Sequence, residues 1–229
     1  MRKYAVIVAG GSGSRMGGGI PKQFRNLCRR PVLWWSMKAF HDEDPETQLI
    51  LVLPEEFIGQ WKDFFSSLPA TERFEHCTVA GGKTRGESVK KGLEMVNDPD
   101  SLVAVHDGAR PLVSPDIIAR GWEEMSRKFA AIPVIPVVDS LRLITKGGSI
   151  SVDRSEYVAV QTPQVFHTAR LKEAYKSASD RNFTDDAAVM EHAGYEIALF
   201  EGNPDNIKIT DPKDMAIAEV LMNKCKTDA

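Results

Sequence analysis

The sequence predicts an α/β fold, with a single domain built on a mostly parallel β-sheet that helices cover on both faces. The main observation is that short apolar runs alternate with amphipathic stretches over the first two thirds of the chain. Continuous apolar runs are typical of strands buried on both faces, and amphipathic stretches are typical of surface helices. Strands that alternate with helices favour a parallel sheet. A length of 229 residues suits one domain of this kind, so we assign residues 1–229 to it.

The predicted elements follow one another with short connections. The predicted strands are residues 4–8, 49–53, 78–80, 102–105 and 132–137, then 197–200 and 207–210. The predicted helices are residues 32–40, 57–68, 84–96, 115–129, 169–178, 185–193 and 213–224. Thr84 and Glu87 form a T-x-x-E capping box, which favours a helix that begins after Thr84. Thr184 precedes another helix as a suitable N-cap, and negative charge on Asp185 and Asp186 is favourable in that first turn, so capping accounts for both carboxylates.

One segment departs from the alternation and predicts a protruding β-hairpin arm at about residues 139–157. Two runs suited to strands flank Gly147 and Gly148, and a Gly-Gly pair favours a two-residue hairpin turn. A turn centred on this pair places Leu141 opposite Arg154. An isolated hairpin is marginally stable in water, so we expect the arm to pack on its parent domain or on a second subunit.

Charge and cysteine content exclude several classes of protein. The net charge is −3 and no Lys/Arg run is present, so the chain does not have the basic face of a general nucleic-acid binder. The three cysteines, Cys28, Cys77 and Cys225, are far apart and predict neither a disulfide framework nor a zinc site, which favours the cytoplasm. No stretch approaches the roughly 20 apolar residues of a membrane span, so we expect no membrane partner.

A glycine-rich loop follows the first predicted strand, and residues 9–22 read AGGSGSRMGGGIPK. Glycines let backbone N–H groups approach an anion closely. The loop lacks the Gly-Lys-Ser/Thr of a Walker A motif, and Met16 stands where a dinucleotide-binding loop needs glycine. Arg15 and Lys22 suit a triphosphate, because fixed positive charge stabilises phosphoryl transfer. From these residues alone, a phosphate-binding loop and a flexible glycine loop with two solvated cations both stay open.

Seven motifs in a fixed order extend this pattern over nearly the whole chain. They are AGGSGSRMGGGIPKQ (9–23), GGKTRGESV (81–89), VHDGARP (105–111), PVVDSL (136–141), VQTPQVF (160–166), FTDDAAVMEHAG (183–194) and DNIKIT (205–210). In this series the chain resembles the 2-C-methyl-D-erythritol 4-phosphate cytidylyltransferases of isoprenoid biosynthesis. The resemblance implies a Rossmann-like nucleotidyltransferase sheet and transfer of a cytidylyl group from CTP to methylerythritol phosphate. The products are 4-diphosphocytidyl-2-C-methyl-D-erythritol and pyrophosphate.

The resemblance also implies a role for individual residues. The residues expected in catalysis are Arg15 and Lys22, on the triphosphate, and Arg154 and Lys208, on the attacking phosphate. Those expected to bind the nucleotide are Ala9, Gly10, Gly11, Gly13, Gly82 and Ser88. Those expected to contact the sugar alcohol are Asp107, Arg110 and Ser140. The family implies Mg²⁺ held mainly by CTP phosphates, and a homodimer whose exchanged arms complete the neighbouring site.

Two alternatives stay open at this stage. The first is a ribitol-5-phosphate cytidylyltransferase that makes CDP-ribitol, because this sister group also has glycine where Gly10 stands and the methylerythritol enzymes usually have alanine. The second is a non-catalytic nucleotide-binding relative, which need not retain the four catalytic cations. Two residues also have plain structural interpretations. Lys208 can be a solvent-facing lysine of a strand, which is the ordinary interpretation of this pattern. His106 is interpreted as a packed residue at a strand end rather than as a base.

Overall fold

The computed structural model describes residues 1–10, 21–126, 128–178 and 183–227. Its strands are β1 Lys3–Val8, β2 Asn26–Leu27, β3 Arg30–Pro31, β4 Gln48–Leu53, β5 His76–Ala80, β6 Leu102–Asp107, β7 Ala130–Pro136, β8 Leu141–Thr145, β9 Gly148–Val152, β10 Val158–Val160, β11 Gln164–His167 and β12 Ala198–Glu201. Its helices are α1 Val32–Glu43, α2 Glu55–Ser67, α3 Arg85–Glu94, α4 Pro115–Glu124, α5 Thr168–Ser177, α6 Asp186–His192 and α7 Pro212–Thr227.

The main sheet has eight strands and is mostly parallel, which confirms the predicted fold class. Its strands pair in the order β7-β11-β6-β1-β4-β5, with β10 and β12 also paired to β7. β1 lies at the centre between β4 and β6 and is parallel to both. β11 and β10 run antiparallel to their neighbours. The parallel strands therefore end at one common edge.

Each face of this sheet has its own apolar core, because successive side chains of a strand point to opposite faces. On one face Ile7 packs in a cluster that includes Trp34 of α1, Trp61 of α2 and Ile117 of α4. On the other face Val6 packs in a second cluster, with side chains from α3, α5 and α6. The prediction of helices on both faces is confirmed.

The structure differs from the predicted strands in three places. The short pair β2 and β3 was not predicted, because strands of two residues are too short to show a pattern. β10 and β11 were not predicted, since Pro163 interrupts that segment and leaves each strand only three or four residues long. The predicted strand at residues 207–210 is wrong. That segment forms no strand, although Ile209 is fully buried and its N–H donates to the Ala109 carbonyl at 2.8 Å. A buried isoleucine in an extended loop has the same local pattern as one in a strand.

The hairpin arm forms as predicted, but in a different register. Its strands β8 and β9 make a separate two-stranded sheet in which Leu141 pairs with Val152, so the predicted pairing of Leu141 with Arg154 is wrong. The turn is formed by Lys146 and Gly147, whereas Gly148 begins β9 with a φ of +139°, a conformation that glycine tolerates. The partner moves by two residues, which keeps the same side chains on each face.

The two predicted helix caps had different outcomes. The Thr84 hydroxyl accepts the Glu87 N–H at 3.1 Å, which confirms the cap of α3, while the Glu87 carboxylate accepts the N–H of Lys83. The cap of α6 is Asp185, whose carboxylate accepts the Ala188 N–H at 3.0 Å, so Thr184 as the cap is wrong.

In the described part of the chain, no helix has both the length and the apolar character needed to cross a bilayer.

Candidate active site

A cavity of about 420 Å³ opens at the sheet edge where β1 and β6 end. Ligands of open α/β sheets bind at the carboxyl ends of parallel strands, which is where Gly10 and Gly82 lie together with charged side chains here. The lining residues are Val8, Ala9, Gly10, Lys22, Gln23, Gly82, Lys83, Thr84, Arg85, Ser88, Asp107, Ala109 and Lys208.

Backbone groups held close together form one wall of this cavity. The Ala9 carbonyl accepts a hydrogen bond from the Gln23 side-chain amide at 2.8 Å, and the Ala9 N–H donates to the Val52 carbonyl at 2.9 Å. The Ser88 hydroxyl accepts the Gly82 N–H at 3.1 Å and donates to the Thr84 carbonyl at 2.9 Å. The segment after β5 is thereby fastened to the first turn of α3.

Gly82 and Gly10 differ in how much space surrounds them. A Cβ atom built on Gly82 would lie 2.3 Å from the Cβ of Glu87, which no relaxed structure accommodates. Among the described residues, a Cβ atom built on Gly10 would meet the Ser88 hydroxyl, at an ordinary 3.6 Å. Packing therefore requires glycine at position 82, whereas the described surroundings of position 10 leave room for a Cβ atom.

Charged side chains form the opposite wall around Asp107, the last residue of β6. The Asp107 carboxylate lies 2.9 Å from the Lys208 ammonium, 3.4 Å from Nε of Arg110 and 3.9 Å from Nε of Arg85. Burial alone would raise the pKa of Asp107, but attraction to Lys208, Arg85 and Arg110 holds that pKa well below its usual range. The site therefore contains an ionised carboxylate among three cations.

A hydrogen-bonded chain behind Asp107 fixes the end of β6. The Asp107 N–H donates to the Thr162 hydroxyl at 3.1 Å, and that hydroxyl lies 2.9 Å from Nδ1 of His106. The Nε2 atom of His106 lies 3.3 Å from the Arg110 carbonyl. The Thr162 hydroxyl accepts the Asp107 N–H and can donate its one proton to Nδ1 of His106. A neutral imidazole that carries its proton on Nε2 then donates to the Arg110 carbonyl, so every group has a partner. Full burial lowers the pKa of His106 to about 4, so the packed interpretation of this residue is confirmed.

The segment that holds Lys208 is fastened to the sheet by further polar contacts. The Arg110 guanidinium donates to the Asn206 carbonyl at 2.8 Å, and the Asn206 side-chain amide donates to the Thr162 carbonyl at 2.9 Å. The Lys22 ammonium donates to the Ile209 carbonyl at 2.7 Å. Lys22 and Lys208, from opposite ends of the sequence, thus meet at one cavity.

Most of the predicted site residues that the structure describes lie at the cavity. Those that line it are Ala9, Gly10, Lys22, Gly82, Ser88, Asp107 and Lys208. Arg110 stands behind Asp107, with its guanidinium committed to Asp107 and Asn206. Ser140 and Arg154 lie on the arm and are exposed. Gly11, Gly13 and Arg15 fall outside the described residues. The individual roles given to all these residues stay predictions.

Arg85 is the main site residue that the sequence predictions missed. It is the first residue of α3 and lines the cavity, between Asp107 and a buried carboxylate of α6. The sequence did contain one signal for Arg85. The capping box at Thr84 fixes the start of α3, and therefore Arg85, shortly after the end of β5. Gln23 was missed because its amide acts on a backbone carbonyl, a contact that has no sequence pattern.

Comparison with known proteins decides the family. Residues 4–224 match the sequence model of the 2-C-methyl-D-erythritol 4-phosphate cytidylyltransferase family. The chain belongs to this family. A protein of that name from Phocaeicola vulgatus is 48% identical, over 97% of this chain and 100% of its own length. One from Bacteroides thetaiotaomicron is 46% identical, over 97% and 100%. The predicted family and the predicted enzyme class, a cytidylyltransferase, are confirmed.

Solved structures support the same conclusion for this cytidylyltransferase. A crystal structure of 2-C-methyl-D-erythritol 4-phosphate cytidylyltransferase from Thermus thermophilus is similar, with a TM-score of 0.77 and 34% identity over 97% of this chain and 100% of that one. A 4-diphosphocytidyl-2C-methyl-D-erythritol synthase from Anaerococcus prevotii gives a TM-score of 0.82 at 26% identity, over 97% and 98%. The nucleotidyltransferase fold is therefore shared over nearly the full chain.

The two glycines provide a matched test of the packing at the cavity. We expect Gly82→Ala to lower the free energy of unfolding by about 1–3 kcal/mol, because its methyl group overpacks the start of α3. Gly10→Ala should change it by less than about 0.5 kcal/mol. Urea unfolding of both variants beside the parent measures the difference. Equal effects would contradict the packing at Gly82.

His106 predicts a pH dependence of stability. Its pKa is about 4 in the folded protein, below the ordinary value of 6.5, so the unfolded chain binds a proton first as the pH falls. The stabilisation is complete above pH 6.5 and is lost towards pH 4, by roughly 2 kcal/mol between pH 6.5 and 5. Burial also lowers the pKa of His76, which adds in the same direction.

Urea unfolding at several pH values, with the parent and with His106→Asn, measures this contribution. The variant should lose less stability than the parent between pH 6.5 and 5, while the contribution of His76 remains. Parallel pH profiles for the two proteins would show that His106 is not held neutral.

Proposed function

We propose that this cytidylyltransferase transfers the cytidylyl group of CTP to 2-C-methyl-D-erythritol 4-phosphate, giving 4-diphosphocytidyl-2-C-methyl-D-erythritol and pyrophosphate. The observation that carries the proposal is that Lys22 and Lys208 converge on one cavity, beside the glycine-containing walls at Gly10 and Gly82. Relatives 43–48% identical to this chain are named for the methylerythritol acceptor, which supports it over ribitol phosphate.

The proposed nucleotide site is the wall formed by Ala9, Gly10, Gly82 and Ser88. Gly11 and Gly13, which lie outside the described residues, are proposed to bind the nucleotide as well. Close packing at Gly82 and the hydrogen bonds of Ser88 give this wall a fixed shape. The start of α3 also faces the cavity, and unpaired N–H groups at a helix N-terminus favour an anionic ligand.

The proposed chemistry is an in-line attack of an acceptor phosphate oxygen on the α-phosphorus of CTP. The new P–O bond forms as the bond from the α-phosphorus to the bridging oxygen breaks, and pyrophosphate leaves with that electron pair. Lys22 and Arg15 would stabilise the charge on the transferring and leaving groups. The attacking phosphate is already ionised at neutral pH, so the reaction needs no general base. The buried, doubly hydrogen-bonded His106 suits a structural role in this scheme.

The acceptor would bind on the side of the cavity where Lys208 lies. The Lys208 ammonium is held by the Asp107 carboxylate at 2.9 Å and is still 42% exposed, so it can contact an incoming phosphate. Asp107, Arg110 and Ser140 would contact the sugar alcohol. Asp107 can do so with an oxygen that is not taken up by Lys208, whereas Arg110 has little exposed surface and would act mainly by orienting Asp107.

We also propose that Mg²⁺ assists, held mainly by the CTP phosphates. Asp107 is the one carboxylate among the lining residues that the structure describes, and the described residues contain no group of three or more His, Cys, Asp or Glu that could hold a metal ion. This donor set fits a cation that arrives with the triphosphate. When bound, it supplies positive charge against the departing pyrophosphate.

The arm supports a proposed homodimer in which each arm completes the partner's site. Arg154 donates to the Val138 carbonyl at the base of the arm, and neither Arg154 nor Ser140 lines the described cavity of its own chain. The arm also exposes apolar side chains, with Ile144 at 78% and Leu143 at 55% exposure. Covering such residues with a second subunit would stabilise a hairpin that is marginal alone.

The cytoplasm is the proposed location, because the separated cysteines suit a reducing compartment.

The ribitol-phosphate alternative rests on Gly10. The described residues around Gly10 leave room for either glycine or alanine, so packing there favours neither acceptor. A non-catalytic relative, the other alternative, would have no need for Lys22 and Lys208 at one cavity. Both alternatives remain outcomes of the test below.

The test is pyrophosphate release from CTP with each candidate acceptor. We expect kcat/KM to be at least about tenfold higher with methylerythritol phosphate than with ribitol 5-phosphate, since relatives named for the first acceptor share the whole chain. Lys22→Ala, which removes a cation at the cavity, is the inactive control. Preference for ribitol 5-phosphate would establish the first alternative, and no release with either acceptor would establish the second.

Subunit mixing tests the exchanged arm. Lys22→Ala and Arg154→Ala chains should each be inactive alone, because each homodimer lacks one cation in both sites. A heterodimer has one site with both changes and one site with neither, so equal mixing should restore about a quarter of parental activity by random exchange. Native mass spectrometry measures the exchange beside the rate. Proven heterodimers without activity would place Arg154 in the site of its own chain.

A further inference from the structure

A buried cluster of charged and polar side chains stands behind the cavity wall. Asp186 is fully buried, and its carboxylate accepts hydrogen bonds from Nη2 of Arg85 at 2.6 Å and from the Tyr175 hydroxyl at 2.5 Å. Asp186 does not cap its own helix, since the cap of α6 is Asp185. Capping therefore does not account for Asp186, which corrects the interpretation of this carboxylate from sequence alone.

The position of Asp186 is fixed by the sheet. The side-chain carbonyl of Gln164 accepts the N–H groups of Asp186 and Ala187 at 3.1 and 3.0 Å. Gln164 lies on β11, where it pairs with Val105 of β6, the strand that ends in Asp107. The carboxylate of α6 is thus tied to the strand that carries the central acid of the site.

Arg85 lies between two carboxylates and lines the cavity. Its Nη2 contacts Asp186 at 2.6 Å, while its Nε stands 3.9 Å from the Asp107 carboxylate, beyond hydrogen-bonding distance. Burial by itself would lower the pKa of Arg85, but Asp186 raises it, and burial together with Asp186 raises the pKa of Tyr175. The arginine therefore stays charged, and the tyrosine stays a proton donor.

Removal of Asp186 would change the balance of positive and negative charge around Asp107. Three cations, Arg85, Arg110 and Lys208, share the two carboxylates Asp107 and Asp186. A partly buried guanidinium that loses its partner pairs with the nearest remaining carboxylate, because an unpaired buried charge is costly. Arg85 would then close onto Asp107 and compete with Lys208.

We propose that Asp186 and Tyr175 are positioning residues that hold the Arg85 guanidinium at the cavity wall, facing the nucleotide, and away from Asp107. This inference rests on the proposed function, in which the cavity binds CTP and Lys208 acts on the acceptor phosphate. Asp186 acts through Arg85 and touches no substrate.

A double-mutant cycle with Asp186→Asn and Arg85→Gln tests the proposal. Each single variant should lower kcat/KM and weaken CTP binding, with a loss of about tenfold in kcat/KM for Asp186→Asn. In the Arg85→Gln background, Asp186→Asn should cost less than about twofold, because the guanidinium that it positions is gone. Glu191→Gln is the matched control, since it removes an exposed charge from the same helix and should have no effect.

Two results would overturn the proposal. Equal losses from Asp186→Asn in both backgrounds would show a merely structural role, and full activity of Asp186→Asn would show none. If Asp186→Asn does not fold, Tyr175→Phe replaces it, since it removes one hydrogen bond and keeps the ring. Its loss, about threefold, should likewise vanish in the Arg85→Gln background.

The cycle is measured on the CTP dissociation constant as well as on turnover. If the parent protein binds CTP but releases no pyrophosphate with either acceptor, the proposed function fails, and the affinity cycle still decides whether Asp186 acts through Arg85. If the parent releases pyrophosphate with methylerythritol phosphate, and the effects of Asp186→Asn and Arg85→Gln on CTP affinity are additive, the proposed function stands and this inference fails.

Discussion

The buried carboxylate of Asp107 is the constraint on which the site depends. A carboxylate in this position is stable only with cations and hydrogen-bond donors around it, and these come from separate parts of the chain. Arg85 comes from α3, Arg110 from the loop after β6, and Lys208 from the segment before α7. Compensation of one buried charge therefore assembles three segments at one sheet edge.

The same arrangement separates two tasks that phosphoryl transfer requires. Rigid backbone walls at Gly82 and Ser88 give the cavity its shape, and long cationic side chains such as Lys22 supply charge. Lys22 and Lys208 repel each other, so each needs a local anchor before a phosphate arrives. The Ile209 carbonyl and the Asp107 carboxylate supply these anchors. These two cationic side chains are thus held at the cavity before a ligand binds.

Much of the fold and about half of the site could be predicted from sequence. The predictions of the fold failed where one local pattern is compatible with two structures. Buried strands such as β1 and β4 are continuous apolar runs, so local pattern is enough to identify them. Residues 207–210 have the same pattern, but they pair with no strand; Ile209 donates one backbone hydrogen bond to Ala109, and Ile207 donates one locally to Asp205. The arm was predicted with the wrong turn, because Lys146-Gly147 and Gly147-Gly148 are both acceptable turn pairs locally.

The sequence by itself predicted the mostly parallel sheet and, through the family resemblance, the family and the functional roles of Lys22, Asp107 and Lys208; their meeting at one cavity is seen in the structure. Periodicity, glycine placement and ordered motifs are properties of neighbouring residues, so they are readable without a structure. Only the tertiary structure decided that Arg85 joins Asp186, a residue 101 positions away, across the back of the site. A pairing of this kind depends on which helices the sheet brings together, and no local pattern encodes that distance.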